Sequence, residues 1–350
     1  MAKVLMKGNE AVGKAAIEAG CRYFFGYPIT PQSEVPEYLS VELPKVGGTF
    51  VQAESEVAAI NMVYGAAAAG ARVLTSSSSP GIALKQEGIG YISNAGLPAV
   101  IINMMRGGPG LGTIQPGQAD YNMTVKGGAN GDYHNVVLAP ASVQEAVNMV
   151  MEAFDIADQY LLPVIILADG LIGQMMEPVE FNYVPRPNLP EKTWALVGHY
   201  GAERSNIKNL VIEPDECEAW NHDHFKVYDE VVKNEQAWEE YKMDDAEYAF
   251  VSYGTASRVV RTAIGYLRAE GYKVGMIRPK TLWPFPQKDK FNDKIKKVLD
   301  VEMSMGQMVP DVAYACNDRN KVAFHGRTGG NVPTVDEIVE FGKEVMGGDK

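Results

Sequence analysis

The segment RYFFGYPITPQSE, residues 22–34, joins a short aromatic run to a loop that contains two prolines. The aromatic run predicts a buried strand, and Pro28 and Pro31 restrict the backbone of the loop. The prolines enclose Ile29 and Thr30, so the Thr30 hydroxyl is presented from a stiff loop directly after a strand. In open parallel sheets, this end of a strand is where ligands bind.

Strand-like runs alternate with helical segments along most of the chain. This order predicts parallel sheets covered by helices, and therefore an α/β fold. The spacing of apolar residues predicts a helix from about Glu54 to Ala69, ended by Gly70. The strand-like runs are residues 22–27, 49–53, 72–76, 99–105, 135–140 and 163–169, then 249–253, 272–279, 298–303 and 322–326.

The alternation stops after Phe181 and restarts near residue 249. The segment between is rich in proline at first, and residues 213–241 are acidic, which predicts one or two solvated helices. We therefore predict three segments, which are a parallel-sheet domain at residues 1–185, a connector at 186–245 and a smaller α/β domain at 246–350.

Charge and hydropathy exclude two classes of partner. The 350 residues include 32 basic and 44 acidic ones, for a net charge of −12, and no cluster of Lys and Arg stands out, so we expect no nucleic-acid partner. The apolar runs are far shorter than the roughly 20 residues of a membrane span, so we expect no membrane partner. The first residues lack a signal-peptide pattern, which predicts a cytoplasmic protein.

The cysteines and histidines do not form a metal-binding pattern. Cys21, Cys217 and Cys316 are far apart in sequence, which is typical of free thiols in a reducing compartment and not of an iron–sulfur cluster. His222 and His224 lack a third evident ligand. We therefore predict no metal site in this chain.

Three more segments that follow strands carry polar groups. Glu54 and Glu56 begin a helix, residues 75–81 read TSSSSPG, and residues 104–121 form a glycine-rich loop that opens with Arg106. A desolvated Glu can accept a proton or a hydrogen bond from a cofactor ring nitrogen, and an Arg suits a small carboxylate. Each segment also has an ordinary structural explanation, namely a helix-dipole contact, a turn or a solvated Arg.

Five motifs in this order resemble the alpha subunit of 2-oxoacid:ferredoxin oxidoreductases, and the resemblance covers nearly the whole chain. It implies a thiamine-diphosphate pyrimidine-binding domain followed by a domain similar to the C-terminal domain of transketolase. The motifs are YPITP (27–31), SEVAA (55–59), the Arg-Gly-Gly loop, GMIRPKTLWPFP (275–286) and VEMSMGQM (301–308).

The resemblance also implies roles for individual residues. Glu56 matches the glutamate that bonds a ring nitrogen of the cofactor's aminopyrimidine. Thr30 and Arg106 match residues that hold the carboxylate and carbonyl of the substrate. The other residues expected beside the cofactor are Pro28, Ile29, Ser78 and Ser79.

The implied reaction is the oxidative decarboxylation of a 2-oxoacid to an acyl-CoA and carbon dioxide, with electrons passed to ferredoxin. Thiamine diphosphate would be shared with a beta subunit that carries its magnesium site. A gamma subunit and a ferredoxin-like delta subunit complete the expected assembly, in which partner subunits hold the magnesium ion and the iron–sulfur clusters. Coenzyme A and ferredoxin are the other expected partners.

The sequence of the glycine-rich loop favours one class of substrate. Its sequence RGGPGLGTIQPGQADY resembles the branched-chain, or 3-methyl-2-oxobutanoate, subgroup, and it offers few cations beyond Arg106 to a second carboxylate. A 2-oxoglutarate-type enzyme and a non-catalytic scaffold subunit remain alternatives. The beta chain of a lipoamide-linked dehydrogenase is a further alternative, which the YPITP and WPFP motifs disfavour.

Overall fold

The first of two large sheets has seven strands in this computed structural model, which describes residues 3–198, 206–286, 291 and 294–347. All of its neighbouring strands run parallel except the outermost pair, β12 and β6. In spatial order the strands are β12 (Thr281–Trp283), β6 (Val136–Leu138), β7 (Pro163–Asp169), β5 (Ala99–Met105), β4 (Val73–Ser77), β2 (Tyr23–Gly26) and β3 (Thr49–Gln52).

The second large sheet has five strands, of which only β9 is antiparallel to its neighbour. Its order is β14 (Val322–Gly326), β13 (Lys297–Glu302), β10 (Tyr248–Val251), β11 (Val274–Pro279) and β9 (Trp238–Tyr241). A small third sheet pairs β1 (Val4–Lys7) with β8 (Met176–Val179). Each of the ten predicted strands overlaps an observed one, so the predicted α/β fold is confirmed.

Helices cover these sheets, and α3 lies where the apolar spacing predicts a helix. Its N-cap, Ser55, accepts a hydrogen bond from the Ala58 backbone N–H at 3.1 Å. No helix within the described ranges is long and apolar enough to span a membrane. The helices are α1 (Gly8–Glu18), α2 (Glu34–Glu42), α3 (Glu56–Ala68), α4 (Ser79–Asn94), α5 (Tyr121–Val125), α6 (Val143–Tyr160), α7 (Gly170–Gln174), α8 (Pro214–Asn234), α9 (Gly254–Ala269), α10 (Val309–Cys316) and α11 (Val335–Gly347).

Two strands cross the segment boundaries that the sequence predicts. Strand β9 lies inside the predicted connector but joins the second sheet, next to β11. Strand β12 lies in the sequence of the second domain but joins the first sheet, where Ala139 N–H donates to the Lys280 carbonyl at 2.8 Å. Residues 214–234 of the acidic stretch form α8, a single helix of 21 residues, whereas its last four residues form β9, where the sequence predicted helix. Each large sheet therefore contains one strand from outside the predicted domain that supplies its other strands.

Parallel pairing places the carboxyl ends of six strands along one edge of the first sheet. Ser77 at the end of β4 is opposite Asn103 of β5, and Met105 at the end of β5 is opposite Asp169 of β7. Strands β5 and β7 are buried along their whole length, which is typical of the centre of a parallel sheet. The loops after these strands therefore open on the same side.

A buried hydrogen bond fastens the second domain to this edge. The Asp169 carboxylate is fully buried and accepts hydrogen bonds from the backbone N–H and the hydroxyl of Thr255, at 2.8 and 2.6 Å. Thr255 lies in the first turn of α9, where the helix dipole favours a carboxylate. Burial nevertheless raises the pKa of Asp169. The hydrogen bonds that its carboxylate accepts act in the opposite direction and lower the pKa. The contact therefore depends on both donors.

We expect the variant Thr255→Val to lower the free energy of unfolding by about 1–3 kcal/mol, because it removes one donor from a buried carboxylate and preserves the side-chain shape. Thr255→Ser keeps the hydroxyl and should lose less than half as much. Urea titration of the full chain measures both. A larger loss for Thr255→Ser than for Thr255→Val would show that the methyl group, and not the hydrogen bond, matters here.

Candidate active site

Glu56 is the first residue of α3 and is 8% exposed. The residue stands at the N-terminal end of the helix, which attracts anionic groups. Within the described ranges, no hydrogen-bond donor of this chain contacts the carboxylate. A buried carboxylate without a partner from its own chain is available to a ligand.

The first turn of α4 packs tightly against Glu56. A methyl group added at Gly81 would overlap the Ser77 hydroxyl and would lie 2.8 Å from Glu56 Oε1. The hydroxyls of Ser77 and Ser78 are buried and have no hydrogen-bond partner. Glu56 and the serine-rich turn therefore present one carboxylate and two unpaired hydroxyls close together.

The other serines of this turn are engaged within the protein. Ser76 donates to Gln32 Oε1 at 2.5 Å, and the Nε2 atom of Gln32 is buried without a partner. Ser79 donates to the Asp120 carboxylate at 2.6 Å, and Asp120 also accepts from Asn103 Nδ2 at 2.9 Å. Ser79 thus acts as a structural link, while the hydroxyls of Ser77 and Ser78 stay available.

Arg106 lies at the end of β5 and is 8% exposed. Its guanidinium donates to the Thr30 carbonyl at 3.0 Å and to the Leu111 carbonyl at 2.9 Å, while its Nε is buried without a partner. No carboxylate in the described part of the chain forms an ion pair with it. A cation bonded only to carbonyls retains its charge for an anionic ligand.

The structure brings the predicted residues to one edge in two linked groups. Arg106 contacts Thr30 directly, in the loop where Thr30 and Pro28 are exposed and Ile29 is half-buried. Glu56 lies with the serine-rich turn, and Ser79 connects the groups because its hydroxyl contacts the backbone N–H of Arg106 at 3.0 Å.

The second domain holds the glycine-rich loop in place. The Gln118 amide donates to the Tyr253 carbonyl at 2.9 Å and accepts from the Met303 N–H at 2.8 Å. Gln307 donates to the Ala119 carbonyl at 2.7 Å. Both glutamines bond backbone groups, so they fix the path of the loop that begins at Arg106.

A cavity of about 550 Å³ opens beside Ser79. Its walls come from the first turns of α4, the glycine-rich loop and two turns of the second domain, and they are mostly apolar. Asp120 is the one charged residue among the described lining residues. The lining includes Leu84, Pro109, Met123 and Met305.

The sequence reasoning missed four polar or tightly packed residues near this edge, which are Gln32, Gly81, Lys85 and Asp120. Lys85 carried a signal, because it stands at helical spacing with Ile82 and Ile89 on a face that is fully buried. The others depend on partners distant in sequence. Within the described ranges, no group of three or more His, Cys, Asp or Glu residues is placed to hold a metal ion.

Two family models match the chain. The thiamine-diphosphate-binding model of pyruvate flavodoxin/ferredoxin oxidoreductases matches residues 14–240, and core domain II of pyruvate:ferredoxin oxidoreductase matches residues 246–338. The chain is 48% identical to the ketoisovalerate oxidoreductase subunit VorB of Methanothermobacter thermautotrophicus, over 99% of both chains. It is 36% identical to the 2-oxoglutarate synthase subunit KorA of Methanocaldococcus jannaschii, over 95% of this chain and 97% of that one.

Solved structures agree with this fold. The 2-oxoglutarate:ferredoxin oxidoreductase from Magnetococcus marinus, solved with 2-oxoglutarate, coenzyme A and succinyl-CoA, superposes with a TM-score of 0.87 at 29% identity. The match covers 98% of this chain and 65% of that one. A split-gene transketolase superposes over 98% of both chains with a TM-score of 0.61 at 14% identity, which shows likeness of fold alone.

The buried link at Asp120 leads to a stability prediction. Asp120→Ala removes the acceptor for Ser79 and Asn103, so we expect the free energy of unfolding to fall by about 1–3 kcal/mol in urea titration. Burial raises the pKa of Asp120 despite these hydrogen bonds, so the uncharged Asp120→Asn, which keeps an acceptor oxygen, should lose under about 1 kcal/mol. A larger loss for Asn than for Ala would contradict the assigned bonds.

Proposed function

Because this chain belongs to the alpha-type subunits of the 2-oxoacid:ferredoxin oxidoreductases, we propose that Glu56 and its neighbours form the pyrimidine side of a thiamine-diphosphate site. In the assembled enzyme, this site serves the oxidative decarboxylation of a branched-chain 2-oxoacid to an acyl-CoA. The observation that carries the proposal is the buried Glu56 carboxylate, unpartnered beside the free hydroxyls of Ser77 and Ser78.

The residues present fit the polar edge of an aminopyrimidine, which offers ring nitrogens and an amino group. Glu56 supplies acceptor oxygens, and the hydroxyls of Ser77 and Ser78 can each donate and accept. Thiamine diphosphate, when bound, supplies the carbanion chemistry that breaks the bond between the oxo carbon and the carboxylate. Glu56 would accept a hydrogen bond or a proton from a ring nitrogen of the bound cofactor.

Arg106 and Thr30 suit the substrate. The guanidinium pairs with the carboxylate of the 2-oxoacid, and the exposed Thr30 side chain in the neighbouring loop donates to its oxygen atoms. Pro28 and Ile29 shape the wall of this loop beside the cofactor. Ser79 contributes indirectly, because its hydroxyl accepts a hydrogen bond from the Arg106 backbone N–H and so holds that backbone in place.

The apolar lining of the cavity supports a branched-chain substrate. Leu84, Met123 and Met305 contribute apolar surface, and the described lining residues include no cation to pair with a second carboxylate. The 48% identical VorB relative is named a ketoisovalerate oxidoreductase subunit, which agrees with this choice.

The site edge also supports a partner subunit. Leu84, Leu111, Ile114 and Met305 are exposed apolar side chains around the glycine-rich loop and the cavity, and such patches mark subunit contacts. We place here the beta subunit that carries the magnesium and diphosphate groups. A gamma subunit and a ferredoxin-like delta subunit complete the complex, with iron–sulfur clusters in partner chains and coenzyme A and ferredoxin as reactants. The three free cysteines fit the reducing cytoplasm.

The variant Glu56→Gln tests the cofactor role. It keeps the shape of the side chain but removes the charge, so we expect the 2-oxoacid-dependent reduction of a viologen dye by the assembled complex to fall on the order of 10²-fold or more. Glu54→Gln is the matched control, because Glu54 stands two residues earlier and is exposed. Activity nearly intact in Glu56→Gln would favour a scaffold subunit with a vestigial site.

A substrate panel tests the branched-chain assignment. Under anaerobic conditions, we expect kcat/KM for 3-methyl-2-oxobutanoate to exceed that for 2-oxoglutarate by about 10²-fold, because the second carboxylate of 2-oxoglutarate meets an apolar lining. Preference for 2-oxoglutarate would overturn the assignment. Reduction of NAD through lipoamide, in place of viologen reduction, would identify a lipoamide-linked dehydrogenase.

A further inference from the structure

A turn of the second domain, residues 303–308, has its hydrogen bonds centred on one serine. Ser304 is fully buried, and its hydroxyl donates to Glu302 Oε2 at 2.8 Å. The Ser304 hydroxyl oxygen also accepts from the backbone N–H groups of Gly306 and Gln307, at 3.1 and 3.2 Å. Gly306 has a φ of +87°, a conformation that favours glycine. The Ser304 hydroxyl therefore fixes the shape of the turn.

Strand β13 anchors this turn at both ends. Glu302 is the last residue of the strand and is fully buried. Its carboxylate oxygens accept from the backbone N–H of Met308 at 3.0 and 3.1 Å, in addition to the Ser304 hydroxyl. Met305, at the tip of the turn, lines the cavity beside Ser79. One buried carboxylate thus closes a turn that borders the proposed substrate cavity.

The turn holds the end of the glycine-rich loop and the start of α5. The backbone N–H of Gln118 donates to the Met303 carbonyl at 2.8 Å, and the Met303 N–H donates to Gln118 Oε1 at 2.8 Å. Gln307 Nε2 donates to the Ala119 carbonyl at 2.7 Å, and Gln307 Oε1 accepts from the Asn122 N–H at 2.8 Å. The conformation of the turn therefore decides where the end of the loop lies.

The end of the loop is paired with its beginning. Arg106 forms an antiparallel bridge with Pro116, and the Gly107 N–H donates to the Gln115 carbonyl at 2.9 Å. Pro116 lies two residues before Gln118, so the segment that the turn holds is also the segment that pairs with Arg106. A change in the shape of the turn is therefore transmitted to the backbone that carries the guanidinium.

We propose that Ser304 is a positioning residue for the 2-oxoacid, which acts on Arg106 through Gln307 and the glycine-rich loop. Ser304 is fully buried and is not among the described residues that line the cavity, so it acts without touching the substrate. Glu56 lies in α3, outside these contacts, so the binding of thiamine diphosphate does not depend on Ser304. This inference rests on the proposed function of Arg106.

The test is the steady-state kinetics of the assembled complex, with 3-methyl-2-oxobutanoate as substrate and a viologen dye as acceptor. Ser304→Ala removes all three hydrogen bonds of the hydroxyl. We expect KM for the 2-oxoacid to rise about 10-fold while kcat changes by less than about 3-fold, because a displaced Arg106 binds the substrate carboxylate less well. The Kd of thiamine diphosphate, measured by calorimetry with magnesium, should keep its wild-type value.

A conservative variant and a matched control separate positioning from stability. Ser304→Asn keeps a donor for Glu302 and an oxygen that accepts from the backbone two and three residues on, so KM should return toward the wild-type value. Ser252→Ala is the control, because Ser252 is equally buried and its hydroxyl donates to the Val301 carbonyl at 2.8 Å, within the second sheet. It should lower stability without raising KM.

A second variant serves if Ser304→Ala fails to assemble. Gln307→Met keeps roughly the same volume and removes both side-chain bonds to Ala119 and Asn122, so it should raise KM in the same way.

The outcomes distinguish the inference from the proposed function. An unchanged KM in Ser304→Ala, or in Gln307→Met where that variant is used, overturns the positioning role and leaves the role of Arg106 intact. An equal rise of KM in Ser252→Ala, a KM in Ser304→Asn as high as in Ser304→Ala, or a parallel loss of thiamine-diphosphate affinity also overturns it. Failure of the wild-type complex to oxidise any 2-oxoacid would overturn the proposed function itself.

Discussion

The parallel register of the first sheet is the constraint on which the candidate site depends. Strands β2, β3, β4, β5 and β7 all run in one direction, so the loops that follow them share one edge. The central strands are buried on both faces, and a slip in register would move apolar side chains out of the core. The core therefore fixes the relative positions of Thr30, Glu56, Ser77 and Arg106.

The second domain completes this arrangement. The side chain of Gln118, in the glycine-rich loop, bonds the Tyr253 backbone of the second domain, and the side chain of Gln307 bonds the loop backbone at Ala119. Asp169 bonds the first turn of α9. One apolar cluster also joins Met105 of the first sheet to Val251 of the second. The loop that positions Arg106 is thus held from both sides, and the geometry of the site depends on how the two domains pack.

Much of the fold could be predicted from local pattern, because strand composition and helical spacing are encoded within a few residues. The existence and sheet positions of strands β9 and β12 could not be predicted from local pattern. The sequence of β9 is WEEY, and its Glu239 is neutralised by Arg278 at 2.8 Å and by Arg261, both distant in sequence. Strand β12 has three residues, and its partner β6 lies more than 140 residues earlier. Tertiary contacts decide both strands, overriding local preference.

The candidate site likewise has features that the sequence predicts and features that only tertiary contacts decide. The placement of Thr30, Glu56 and Arg106 at one edge was predictable, because each follows a strand of the same parallel sheet, whereas their roles rest on the resemblance. Gln32, Lys85 and Asp120 act through partners that only the folded chain reveals, although the isoleucine spacing around Lys85 marked a buried position.

The unpaired polar atoms indicate what kind of ligand this edge can bind. Native proteins leave few buried polar atoms without partners, because each unmade hydrogen bond costs free energy. Four such atoms lie at this edge, and they are Gln32 Nε2, Ser77 Oγ, Ser78 Oγ and Arg106 Nε. Donors and acceptors are both present among them, beside an unpartnered carboxylate. A ligand with a mixed polar edge and an anionic group would satisfy these atoms together.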